Sequence, residues 1–151
     1  YRREGLYREY LEEIGELAEK FSEGCDREKL SEALSEFEQA FLPYRTLVRR
    51  FLWSELYSET LPPGGDLDDM LIAVQWLAME YAAIRHAVFC AWLGQQEESG
   101  GQMPLPYETV RQYMTVVSRM TGYDDEDIRA YLENSFERLI WDWGYFALIT
   151  Y

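Results

Sequence analysis

Histidine occurs once and cysteine twice in these 151 residues, and each shortage removes a class of chemistry. A single imidazole, His86, cannot build a multi-histidine metal site or an HExxH pair. The Glu-x-x-His signature of carboxylate-bridged metal bundles is missing too, because Ala83 stands three residues before His86. Cys25 follows a glycine in an expected loop, and Cys90 sits in an apolar helix. They form no CxxC motif, and nothing in their surroundings pairs them. Two reduced thiols in a cytoplasmic protein are the expectation that follows. There is no GxGxxG, no Walker A loop and no GxSxG; neither Gly64-Gly65 nor Gly100-Gly101 precedes a Lys-Ser/Thr pair. Nothing marks a nucleophile for a Ser-His-Asp arrangement.

Long apolar runs are also missing. The most apolar stretch, Met70 to Leu93, is interrupted by Gln75, Glu80, Arg85 and His86, which suits a buried helix and not a membrane span. Tyr1-Arg2-Arg3-Glu4 is polar, so no signal peptide is expected in this segment. The chain opens without a methionine, directly in helical pattern, and is expected to be a fragment of a larger protein. Basic charge is scarce: 14 Lys and Arg against 28 Asp and Glu leave a net charge of −14. Nucleic acid and an anionic membrane would be repelled over most of the surface, so a basic partner or neighbouring domain is the natural counterpart.

Core-forming residues are plentiful. The chain is 48% hydrophobic and 16% aromatic, unlike a disordered segment. A chain of this size buries roughly 68–70% of the surface its unfolded form exposes, so one compact domain over residues 1–151 needs no metal or disulfide.

Periodicity predicts an all-α fold. Leu6, Tyr7, Tyr10, Leu11, Ile14, Leu17, Ala18 and Phe21 recur at helical spacing between about residues 3 and 22, with Glu12, Glu13, Glu16 and Glu19 opposite. Asp26 can cap a second helix through Leu42, with Leu30, Leu34, Phe37 and Phe41 inward. Pro43 marks a break or kink. A third helix over about 44–60 turns Leu47, Val48, Phe51, Leu52, Leu56 and Tyr57 inward. Leu61-Pro62-Pro63-Gly64-Gly65 reads as a linker, and Asp66 caps a fourth helix ending near Leu93 at Gly94. Its apolar residues run nearly all round, Met70, Leu71 and Val74 included, so it is expected at the centre. A polar loop, expected to be mobile, spans 95–104. Pro106 suits the first turn of a fifth helix presenting Val110, Tyr113, Met114, Val117 and Met120. A sixth starts near Asp124 or Asp125. About six helices therefore form a single compact bundle or orthogonal array around the helix at 66–93.

Three features can carry function. Arg85 and His86 lie inside the apolar helix. Arg85 is either half of an ion pair, with Asp142 or Glu80, or part of an anion site. Arg45, Arg49 and Arg50 form a basic stripe with no acid from Pro43 to Ser54, either paired with Glu36 or Glu55 or docking an acidic partner. Trp141, Trp143, Tyr145, Phe146 and Tyr151 crowd the last helix, as core alone or as core plus an interface.

The stretch 44–151 resembles the C-terminal helical region of the flagellin lysine-N-methylase family. The likeness is carried by Tyr44, Arg45, Arg50 and Phe51, leading into Leu-Trp-Ser-Glu-Leu-Tyr at 52–57. Gly-Asp-Leu at 65–67 then opens a long helix ending near Ile84-Arg85-His86, and Val117-Ser118-Arg119 follows later. The resemblance implies a parent enzyme that transfers methyl groups from S-adenosylmethionine to lysines of flagellin. The family's hallmark, a cysteine-rich N-terminal cluster, is not in this sequence. Members often follow the Ser-Arg/Lys pair with Glu-His, where this chain has Thr121-Gly122. No catalytic or metal-binding residue carries over. The candidate binding residues are Arg85, His86, Arg45, Arg49 and Arg119.

The segment is expected to be an accessory domain for scaffolding, substrate docking or oligomerisation, with no cofactor of its own. The expected partners are the N-terminal part of the same protein, flagellin or another protein, or a second copy of the chain. The alternative is a stand-alone helical module that binds proteins or a small ligand.

Overall fold

The 33-residue helix Leu67–Ser99 organises the fold. In the computed structural model, which describes residues 2–24, 26–57, 65–101 and 103–120, the helices run in chain order: α1 (Arg2–Gly24), α2 (Arg27–Phe41), a 3₁₀ turn (Leu42–Tyr44), α3 (Arg45–Glu55), α4 (Leu67–Ser99) and α5 (Tyr107–Met120). There is no strand among the described residues. Each of α1, α2, α3 and α5 packs on α4, and α1 also packs on α5. Among the described residues α4 thus contacts each of the other four α-helices.

The described helices form four rods, fewer than the expected six. α2, the 3₁₀ turn and α3 run on as one bent rod, because Phe41, Leu42, Tyr44 and Arg45 all keep right-handed helical backbone angles. Pro43 lies in the first turn of the 3₁₀ segment, where a missing N–H is tolerated, so it kinks the rod without breaking it. The expected sixth helix, with its aromatic cluster, and all of the 61–65 linker but Gly65 lie outside the described residues. Asp26 caps α2 as predicted: its carboxylate accepts the Glu28 N–H at 3.1 Å.

Gly94 does not stop α4. An added Cβ at Gly94 would stand 3.2 Å from Leu17 Cδ2, so the glycine lets α1 approach, and the helix continues to Ser99. The polar loop expected over 95–104 is therefore helical for its first five residues. The stop is Gly100-Gly101, with φ of 75° and 101°, a region that glycine enters without penalty. The Gly101 N–H donates to the Gln96 carbonyl at 2.8 Å. Beyond it the Gln96 side chain clasps Met103, donating to its carbonyl at 2.6 Å and accepting its N–H at 2.8 Å. Pro106 stands just before α5 and accepts the Val110 N–H through its carbonyl.

The core lies where α2, α3, α4 and α5 meet. Phe37, Phe41, Val48, Ile84, Val88 and Val110 are fully buried there. The Phe37 ring lies 5.3 Å from Phe41, 5.1 Å from Phe89 and 5.8 Å from Trp92, within the range of favourable tilted and edge contacts. Tyr44 pins the bend of the α2–α3 rod by donating its hydroxyl to the Leu105 carbonyl at 2.7 Å. Burial falls short of expectation in several places, Tyr10 and Ala18 on α1 among them. Leu34 and Tyr57 are exposed, and so are Met70, Leu71 and Val74 near the start of α4. The buried residues of α4 are concentrated from about Ala73 to Trp92, and even there Ala83 and His86 are exposed.

Candidate functional site

Two of the predicted basic residues converge. Arg85 on α4 and Arg45 on α3 both donate to Glu38 of α2, Arg45 at 2.9 Å to one carboxylate oxygen and Arg85 to the other. Arg85 thus has its ion-pair partner on α2. Of the partners expected, Glu80 is buried and carries other interactions, and Asp142 lies outside the described residues. Arg45 likewise selects Glu38, one helical turn from the rod's bend, where Glu36 or Glu55 had been expected. Helical spacing accounts for the choice: seven residues separate Glu38 from Arg45, about two turns along a nearly continuous helix, so both lie on one face, and α4 packs on both α2 and α3.

His86 does not join this cluster. It is exposed on the neighbouring flank of α4, and its pKa is lowered, first by partial desolvation and then by the Arg85 charge. Arg49 and Arg50 are exposed on α3 and make no ion pair among the described residues. Arg119 is exposed in the last turn of α5, where a cation suits the helix dipole.

A second arrangement went unnoticed in the sequence. A cleft of about 440 Å³ opens between α1, α4 and α5, lined by Glu13, Glu16, Glu98, Gln95, Gln112 and Tyr113 among others. Three carboxylates face one ammonium, Lys20, and Lys20 pairs with Glu97 across the α1–α4 contact. Gln95 donates to the Thr109 hydroxyl at 3.3 Å, and its buried carbonyl oxygen accepts no hydrogen bond from the described residues. The Tyr113 hydroxyl is pushed up to about 12, first by burial and then by the Glu13 carboxylate. The cleft is therefore negative in potential and rich in acceptors, which suits a cation with several N–H donors. Glu13 and Glu16 read as the solvated face of α1 and Glu98 as loop. Only the close approach at Gly94, where Leu17 fills the space of a side chain, turns them toward one space.

Among the described residues no cluster of three or more His, Cys, Asp or Glu could hold a metal ion. Cys90 is unpaired and half-buried, and burial raises its pKa above the ordinary thiol value, so it is not an activated nucleophile. No helix among the described residues is long and apolar enough to cross a membrane.

Comparison with known families decides the wider context. The family model for the FliB lysine N-methylase C-terminal domain matches residues 2–149. The chain belongs to that family. The match covers residues 44–149 of the stretch over which the resemblance is drawn and extends it through α1 and α2. No curated protein and no solved structure matches the chain. Within this FliB-type C-terminal domain, residues that carried the resemblance have visible structural work. Tyr44 pins the rod's bend, Arg45 and Arg85 share Glu38, and Ile84 is fully buried.

Proposed function

We propose that this C-terminal domain is the accessory, substrate-docking part of a lysine N-methylase, and that it receives a lysine-bearing protein segment in the cleft between α1, α4 and α5. Methyl transfer from S-adenosylmethionine belongs to the remainder of the parent protein, and flagellin fits the reading as the substrate. The observation that carries it is the cleft's donor–acceptor balance. Glu13, Glu16 and Glu98 line one space in which Lys20 is the single ammonium. An ammonium brings three donors on a flexible stem and a charge opposite to these carboxylates.

The test is calorimetric titration of the 151-residue protein with a lysine-rich peptide and with the same peptide carrying norleucine at each lysine. The lysine peptide is expected to bind, with affinity falling as salt rises and lost in a Glu13→Gln/Glu16→Gln/Glu98→Gln triple variant. Equal binding of the two peptides refutes the docking role. S-adenosylmethionine serves as the control. A ligand at ~100 times its dissociation constant adds about 2.7 kcal/mol of stability, so an upward shift in unfolding midpoint would relocate the cofactor site to this domain.

A further inference from the structure

The outer face of α3 is unlike the rest of this acidic chain. Arg45, Arg49, Trp53 and Tyr57 follow one another at intervals of four residues, so they form a single ridge along the helix and its final turn. Arg50 stands beside them. Trp53 is 51% exposed and Tyr57 72%. Their rings nonetheless stack in parallel, with centroids 5.1 Å apart and planes at 14°. The stack presents a flat, pre-ordered apolar platform to solvent. Arg49 and Arg50 leave their charge uncompensated among the described residues, in a chain whose net charge is −14.

We propose that this ridge is a docking surface for an acidic protein segment. Its carboxylates would lie against Arg49 and Arg50, and an apolar or aromatic side chain would lie on the Trp53–Tyr57 platform. Trp, Tyr and Arg are the residue types that most often dominate binding energy at protein interfaces, and an exposed pair already stacked loses little freedom on binding. Charge complementarity sets the partner's sign. It also sets its position, because an acidic segment is repelled by the carboxylate-rich surface elsewhere and attracted along this one ridge. The inference does not depend on the cleft, which would take a ligand of opposite charge.

The test is selection of a random dodecapeptide display library on the immobilised 151-residue protein, followed by titration of the enriched peptides. Enriched peptides are expected to be net acidic with at least one aromatic or leucine residue. Arg49→Ala/Arg50→Ala and, separately, Trp53→Ala are expected to weaken their binding about tenfold each. All three side chains are exposed, so the unfolding midpoint is expected to stay at the wild-type value and to separate lost binding from lost fold. Enrichment without acidic bias, or affinities that the variants leave unchanged, would overturn the proposal. So would a dimer in sedimentation that Arg49→Glu/Arg50→Glu dissolves, since the occupant would then be a second copy of the chain.

Discussion

Glu38→Gln should destabilise this domain more than the loss of either arginine that it binds. Glu38 joins three elements: it sits on α2 and accepts from Arg45 at the start of α3 and from Arg85 on α4. Arg45 is 57% exposed, so its arm behaves as a surface pair and contributes at most about 0.5 kcal/mol. Arg85 and Glu38 are only 22% and 27% exposed. Breaking a fully buried pair costs about 3–5 kcal/mol, and partial solvation reduces that to about 2 kcal/mol here. Glutamine keeps the shape and removes the charge, leaving Arg85 half-buried without a counter-ion. Arg85→Leu removes both the charge and its desolvation, and Glu38 keeps Arg45, so the expected cost is about 1 kcal/mol. At about 2–4 °C per kcal/mol for a domain of this size, Glu38→Gln should lower the midpoint by about 4–8 °C. Urea unfolding of the two single variants and the double variant completes a mutant cycle, with an expected coupling above about 0.5 kcal/mol. A Glu38→Gln variant within about 0.5 kcal/mol of wild type would refute the reasoning, as would an Arg45→Gln variant costing more than Arg85→Leu.

Two further perturbations test the α1–α4–α5 side. The Tyr113 hydroxyl is held up at about 12 against an ordinary 10.0, so the stability it contributes is fully present below pH 10 and lost as pH rises through 12. That loss is up to about 3 kcal/mol. Urea unfolding across this range should show the decline in wild type and a flatter profile in Tyr113→Phe; parallel profiles would contradict the assignment. Gly94→Val should cost about 1–3 kcal/mol by overpacking against Leu17. Gly94→Ala should be near neutral, because the helix gains about 1 kcal/mol from replacing glycine while the Leu17 tip yields into the cleft. Thermal melts of both check this, and a valine variant as stable as wild type would remove the close-approach role of Gly94.

The helices were legible where one physical signal acted alone. α5 reads from the spacing of Val110, Tyr113, Met114 and Val117, and all four are buried. α2 reads from its Asp26 cap and from Phe37 and Phe41. The misreadings fall where one residue type serves two ends. Glycine after an apolar run signals a helix stop, yet the same residue is what a second helix needs in order to pack closely, and Gly94 is the second case. Proline signals a break or a kink, and at Pro43 its place in the first turn of a 3₁₀ segment leaves a kink. At Gly94 local sequence does not hold the deciding term, which is the position of another rod.

The sites were legible to the extent that charge stood out against its background. Three arginines in an acidic chain mark α3 at once, and Glu38, the partner of Arg45 and Arg85, is one of many glutamates until the packing of α2, α3 and α4 singles it out. The cleft is the converse case. Glu13, Glu16 and Glu98 are ordinary surface carboxylates on their own helices, and their placement depends on a crossing set by Gly94 and Leu17. Charge scarcity therefore reveals the basic ridge from sequence, whereas charge abundance conceals the acidic cleft. The two surfaces want opposite partners. A lysine-bearing segment in the cleft would be repelled from the ridge, and an acidic segment on the ridge would be repelled from the cleft, so each occupant can find only one of the two surfaces.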